Sequence, residues 1–389
     1  MSHHIYYLKN ISNQGFNTQY ARQLKTYVLK LNRELPVIFS LKHLAVLTST
    51  PYPILYSIVH RTNDYYRVFP IAKRNGDKRW ISVPSKSLLK VQKWINKEIL
   101  SSEFVLNHIS YNSTAYISKK GHLFNAKQHF GNNDIIKLDI TRFFESISER
   151  QVFHVFHRLG YKPYVCFILS RICTRTISYL SDKRILTDPK RWTTNKEYKF
   201  SGLMHSQKVQ ALGHLPQGAP TSPLLSNLVS QNFDKKIVEI ANSRYLTYTR
   251  YADDLVLSGD IESRVQASTL ISDISRILRK EGFKINFQKT KYRPKGTRQI
   301  ITGICINDSN KVRVPKSYKD KVRQELYYIK KFGLSDHCLK IGISNPATYL
   351  LRLEGKIKYI DFIEEDNSKK MMGELIKAAP EIKMVKEIL

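Results

Sequence analysis

TYTRYADDLVLSG, residues 247–259, reads as two short apolar strands that meet at Asp253-Asp254, a hairpin with carboxylates at its tip. Two adjacent carboxylates repel each other unless cations sit between them, and hard oxygen ligands of this kind suit Mg2+. Aspartate also favours turns, so taken alone the pair is equally well read as a solvated hairpin tip. The stretch DIIKLDI at 134–140 adds a third carboxylate. Its period of two sets Ile136, Leu138 and Ile140 on one face and Lys137 and Asp139 on the other, so Asp139 points away from the apolar layer. Two aspartates at a hairpin tip and a third on a different strand, in a basic surround, suit two-metal phosphoryl transfer, because phosphate and water oxygens complete the metal shells.

The flanking segments supply a scaffold. After Asp139, Ser148 with Gln151 forms a capping box and opens a helix whose Val152, Phe153, Phe156 and Leu159 face inward until Gly160 stops it. LPQGAPTSPLLSNLVSQNFDKKIVEIA at 215–241 has Ser222 where an N-cap belongs and Pro223 at the first helical position. YRVFPIAKRNGDKRWISVP at 66–84 alternates around Asn75-Gly76, a basic β-hairpin. SLLKVQKWINKEIL then puts Leu88, Val91, Ile95 and Ile99 on one helical face and lysines on the other. Before the hairpin, Tyr20–Leu31, Leu41–Leu47 and Ile54–Val59 read as small helices without evident chemistry. Residues of about 176–212 are polar, basic and weakly periodic, an inserted loop; 261–281 are helical to Gly282, KINF and RQIITGICIN are strand-like, and the chain from Pro315 onward is helical and basic.

Composition names the class of partner. The 389 residues carry 64 Lys+Arg against 32 Asp+Glu, a net charge of +32, with 42% hydrophobic residues. That describes a folded chain of two or three domains with a polyanionic partner. No helix combines a Lys/Arg face with an aromatic one, which favours nucleic acid over a membrane surface. With no run of 18 apolar residues and no secretory signal in MSHHIYYLKNISNQ, the expected location is the cytoplasm. Cys166, Cys173, Cys305 and Cys338 lack C-x2-C spacing and are expected as free thiols, not as a disulfide scaffold or zinc site.

These elements form an ordered set: a basic hairpin, Asp139 with Phe144 five residues later, LPQG, SP, Asn227, YADD, a segment from Gly282 to Lys289, and a basic helical end. The set resembles the reverse transcriptases over roughly residues 66–365 and, within them, is most similar to the bacterial retron type. NAKQH at 125–129 is similar to the retron Asn-Ala-x-x-His element, ITG at 301–303 to its Val-Thr-Gly element, and LRLEGKIKYI at 351–360 to the end of its thumb.

The resemblance implies an α+β right-hand polymerase with fingers, a palm built on an antiparallel sheet, and a helical thumb. The corresponding parts are a helical extension at 1–65, fingers at 66–133, a palm at 134–310 with interleaved fingers helices and the insertion at 176–212, and a basic thumb and tail at 311–389. It implies that Asp139 and Asp253, with Asp254 beside them, hold two Mg2+ ions. Lys289 would protonate departing pyrophosphate. Phe144 would gate the sugar 2′ position, Gln217 and Gly218 would line the nucleotide pocket, and Lys73 and Arg79 would grip the triphosphate of the incoming dNTP. Asn125, His129 and Thr302 would hold structured RNA, with thumb lysines Lys316, Lys319 and Lys321 on its phosphates. A surface lysine at 289, a solvated hairpin face at 73 and 79, and structural hydrogen bonds at 125, 129 and 302 are the competing accounts.

The implied partners are a non-coding RNA serving as template and primer, its DNA product, and an effector protein encoded nearby in antiphage defence. Two departures stand out: the 176–212 insertion is long for the family, and STAYISKKG at 113–121 follows its pattern loosely. The rival readings are another bacterial reverse transcriptase lineage (abortive-infection, CRISPR-linked or diversity-generating) and a non-catalytic RNA-binding protein on a polymerase fold. The intact Asp139, Asp253 and Asp254 argue against the second.

Overall fold

The computed structural model describes residues 4, 6, 7, 18–72, 76, 78–176, 213–307 and 311–382. Lys73 and all but one residue of the 176–212 insertion lie outside the described residues. At the centre is a four-stranded antiparallel sheet built from β3 (Asp134–Asp139), β4 (Thr247–Tyr251), β5 (Asp254–Gly259) and β6 (Lys291–Arg293), in the order β4-β5-β3-β6. A separate two-stranded hairpin, β1 (Tyr66–Ala72) and β2 (Lys78–Pro84), lies upstream in the chain. Gly76 at its tip has φ +83°, a conformation glycine adopts at no steric cost.

The helices α1 (Thr18–Lys30), α2 (Leu41–Leu47) and α3 (Tyr52–His60) precede the hairpin; α4 (Lys86–Ile95) follows it and runs on as a π-helical turn. The short α5 (Glu103–Leu106) and α6 (His122–Lys127) lead to the sheet. After β3 come α7 (Glu149–Arg158) and α8 (Pro163–Cys173); α9 (Ser222–Asn242) precedes β4, and α10 (Arg264–Lys280) follows β5. The capping box on α7 is present in full, the Ser148 side chain accepting from Gln151 N–H and the Gln151 side chain from Ser148 N–H. At α9 the expectation is corrected. The first cap position falls on Thr221, because the Ser222 hydroxyl donates instead to the Pro216 carbonyl at 2.7 Å. That bond closes the LPQG loop on itself.

Both faces of the sheet are covered. Ile136, Leu138 and Leu257 enter the main core with α7 to α10, and Tyr27, Val28, Leu55 and Val59 of the first helices join that same core. The N-terminal extension is therefore welded to the body of the molecule. On the other face Ile135 and Val256 meet Ala126 and the ribbon of β7 (Ile300–Ile301) and β8 (Ile304–Cys305). The C-terminal helices α11 (Lys316–Phe332), α12 (Leu334–Lys340), α13 (Pro346–Ile363) and α14 (Glu365–Ala378) have a core of their own around Val322, Leu326, Leu353, Ile357 and Leu375. Fingers hairpin, central sheet and helical thumb form the right-hand layout. The four cysteines are free. Among the described residues no helix is long and apolar enough to cross a membrane.

Candidate active site

Register brings the carboxylates together. Asp139, the last residue of β3, pairs with Asp254, the first of β5, while Asp253 sits beside it in the two-residue turn that joins β4 to β5. The Ile140 N–H donates to the Asp253 carbonyl at 2.9 Å, so the turn is tied to the end of β3. Ala252, the first turn residue, has φ +57°, which a residue bearing a Cβ adopts only under constraint. Asn286 N–H donates to the Asp139 carbonyl at 2.7 Å, and this draws in the chain before β6. Lys289 thereby places Nζ 3.1 and 3.0 Å from the two Asp139 carboxylate oxygens.

Burial, then the charges of Asp254 and Asp139, push the Asp253 carboxyl up to about 6. Asp254 is also raised, by burial and by Asp139, while Lys137 and Lys289 pull the other way. The site thus holds more negative charge than its surroundings stabilise. Among the described residues no three His, Cys, Asp or Glu side chains stand as a closed metal cluster, and Asp139 pairs with Lys289. The donor set nonetheless fits a divalent ion. Its three hard carboxylates sit at adjacent register positions, and a cation would offset the burial and the mutual repulsion that together raise two of them.

The nucleotide-side candidates gather around the same end of the sheet. Ser82 N–H on β2 donates to the Gln217 carbonyl at 2.7 Å, docking the fingers hairpin on LPQG. Gly218 has φ +121°, and a Cβ there would lie 2.7 Å from the Ser82 carbonyl oxygen, so only glycine lets the two backbones approach. Arg79 is exposed on β2, with its charge acting on the hydroxyl of Tyr116. Phe144 is half-buried in a 3-10 turn after β3, its ring 5.6 Å from Phe143 and 6.3 Å from Tyr116. Tyr116 did not stand out in the sequence. Its φ is +65° and its side chain is 44% exposed; partial desolvation of the hydroxyl, followed by the nearby Asp253, pushes that hydroxyl up to about 12. The only sequence signal for it was its place in the loosely matching STAYISKKG.

Several expected RNA contacts require correction. Asn125 and His129 are wholly buried under the sheet and cannot touch RNA in this fold. Asn125 Oδ1 accepts from the Thr114 hydroxyl at 2.9 Å, and His129 bonds Ser258 Oγ and Thr249 Oγ1, each at 2.6 Å. NAKQH thus fastens α6 to β4 and β5. Lys319 is likewise buried and pairs with Glu364 at 2.9 Å inside the thumb, which withdraws it from phosphate. Thr302 is half-buried and donates to the His122 carbonyl at 2.8 Å. Lys316 and Lys321 are exposed on α11.

The chain matches the family described as "Reverse transcriptase (RNA-dependent DNA polymerase)" over residues 71–304, and it belongs to that family. The retron Ec86 reverse transcriptase of Escherichia coli is 30% identical over 315 residues, 79% of this chain and 83% of that one. The retron Mx162 reverse transcriptase of Myxococcus xanthus is 30% identical over 69% of this chain, which spans 54% of that longer protein. Within the family, therefore, this chain is a reverse transcriptase of the retron type. Among solved structures, telomerase from Candida albicans in complex with telomeric RNA aligns over 89% of this chain and 67% of that one, with a TM-score of 0.44 and 12% identity.

Proposed function

We propose that the chain copies a dedicated structured non-coding RNA into single-stranded DNA that stays joined to that RNA, priming from a ribose 2′-OH. The observation that carries this reading is the pairing of Asp139 with Asp254 across β3 and β5, with Asp253 beside them in the turn. Asp139 and Asp253, with Asp254 next to them, would hold two Mg2+ ions, which when bound supply charge stabilisation to the attacking and leaving oxygens. The rest of the work is positioning. Arg79 and Lys73 would orient the triphosphate, Gln217 and Gly218 would line the nucleotide site, and Phe144 with Tyr116 would close on the sugar. The primer hydroxyl would give up its proton to solvent as its oxygen attacks the α-phosphorus; the bond from that phosphorus to pyrophosphate would break, and the leaving pyrophosphate would take a proton from Lys289, which exchanges Asp139 for the departing phosphate.

The retron relatives support a further reading of the cellular role. The RNA-linked DNA would serve antiphage defence in the cytoplasm together with an effector protein encoded nearby. The test is to sequence and size the nucleic acid that co-purifies with the chain expressed with its genomic flanks, beside the Asp253→Asn/Asp254→Asn variant. RNA is expected with both, and RNA-linked DNA with the parent alone. DNA absent from the parent, or equal in both, would overturn the reading.

A further inference from the structure

Arg250 lies on β4, two residues before Ala252, and has no exposed surface. A guanidinium has five N–H bonds to give, and here every one finds an acceptor. Nε donates to Asp234 Oδ1 at 2.9 Å and Nη2 to Asp234 Oδ2 at 2.8 Å, a fork on one carboxylate. Nη2 also reaches Ser113 Oγ at 3.2 Å, and Nη1 donates to Asn227 Oδ1 at 3.1 Å and to the Ala252 carbonyl at 3.2 Å. Asp234 is completed by the Tyr248 hydroxyl at 2.7 Å.

A buried ion pair of this kind adds little net stability compared with well-packed apolar residues of the same size, so stability is a poor reason for it. Its contacts suggest a better one. Ala252 is the strained first residue of the turn whose second residue is Asp253, and Arg250 holds its carbonyl. Asn227 carries the hold to the other side of the site. Its Nδ2 donates to the Ala115 carbonyl at 2.9 Å, and Ser113 Oγ donates to its Oδ1 at 2.9 Å. Thr114 N–H donates to the Arg250 carbonyl at 2.8 Å, and Tyr116, strained in its turn, comes two residues later, after Ala115. One guanidinium thus ties the backbone that bears Asp253 to the backbone that bears Tyr116.

We propose that Arg250, clamped by Asp234 and Asn227, is a positioning residue that holds the Ala252-Asp253 turn and Tyr116 in fixed relation for nucleotidyl transfer. The proposal rests on Asp253 being catalytic, as read above. Lysine cannot replace it, because a point charge with three donors cannot fork a carboxylate and reach the Ala252 carbonyl together.

The test uses the full chain on a homopolymeric RNA primed with a DNA oligonucleotide, in saturating Mg2+, with the dNTP varied. RNA affinity and thermal unfolding are recorded alongside for Arg250→Lys, Arg250→Met/Asp234→Leu, Arg250→Lys/Ala252→Gly and Asp253→Asn. In Arg250→Lys and Arg250→Met/Asp234→Leu, kcat is expected to fall by about 100-fold while RNA affinity holds. Adding Ala252→Gly to Arg250→Lys should return about tenfold of that loss, since glycine adopts the turn conformation without being held. A role confined to the core would not be rescued by that glycine. The proposal is overturned if either Arg250 replacement folds with kcat within about threefold of the parent, if Ala252→Gly restores nothing, or if both replacements fail to fold. Full activity in Asp253→Asn would instead overturn the reading of the site itself.

Discussion

His129 has exchanged solvent for two hydroxyl partners beneath the sheet, and burial pushes its imidazole down from 6.5 to about 3. The folded chain refuses a proton that the unfolded chain accepts below 6.5, so stability from neutral His129 is full above that pH and lost as the pH falls. Denaturant titrations between pH 7.5 and 5 should show the parent losing about 1.4 kcal/mol per unit below the unfolded value, with that component missing in His129→Gln. Equal pH slopes in the two chains would contradict it. At this scale the sequence shows which residues carry chemistry better than it shows which way they face. Asp139 was legible because a strand alternates. At Asn125 and His129 the sequence left RNA contact and a structural hydrogen bond equally open, because a polar residue on or just after a short helix looks the same whether it meets RNA or a buried serine. Arg250 was passed over because its partner Asp234 stands sixteen residues earlier on a helix, and no local pattern couples the two.

Two elements meet where the fingers hairpin docks on LPQG, and Gly218 is the contact. Gly218→Ala would press a Cβ against the Ser82 carbonyl in a backbone conformation that alanine resists. The hairpin and its Arg79 should be displaced, raising the KM for dNTP by about tenfold with RNA affinity unchanged. Single-nucleotide extension kinetics check this, and an unaltered KM would detach the hairpin from the nucleotide site. Element boundaries were largely legible because their signals are local: the Ser148 capping box, the alternation that pairs β1 with β2, and the alternation through Asp139; Asn75 of the expected turn lies outside the described residues. The cap of α9 slipped by one residue because the Ser222 hydroxyl turned back to Pro216, a choice set by the loop's own closure.

Across the whole molecule the charge of +32 gives RNA a strong attraction regardless of sequence. If about 6 to 10 phosphates are neutralised, affinity for any RNA should fall by roughly a thousand-fold between about 50 and about 200 mM salt. Replacing Lys316 and Lys321 by alanine should weaken cognate and scrambled RNA alike in competition titrations, since phosphate contacts position without specifying. Lys319→Met should instead lower thermal stability and leave RNA affinity alone, because its charge is spent on Glu364. A loss of RNA affinity on Lys319→Met would return that lysine to the binding face. Composition disclosed the polyanionic partner, whereas Glu364, forty-five residues downstream of Lys319, was beyond any local reading.

The central claim is that DNA is made on RNA at Asp139, Asp253 and Asp254. It is tested most directly by dNTP incorporation on a primed RNA template, comparing the parent with Asp253→Asn/Asp254→Asn at matched RNA occupancy. The account predicts that incorporation is abolished while RNA binding persists, because those carboxylates serve the metal ions and not the RNA. Undiminished incorporation by the double variant would contradict it.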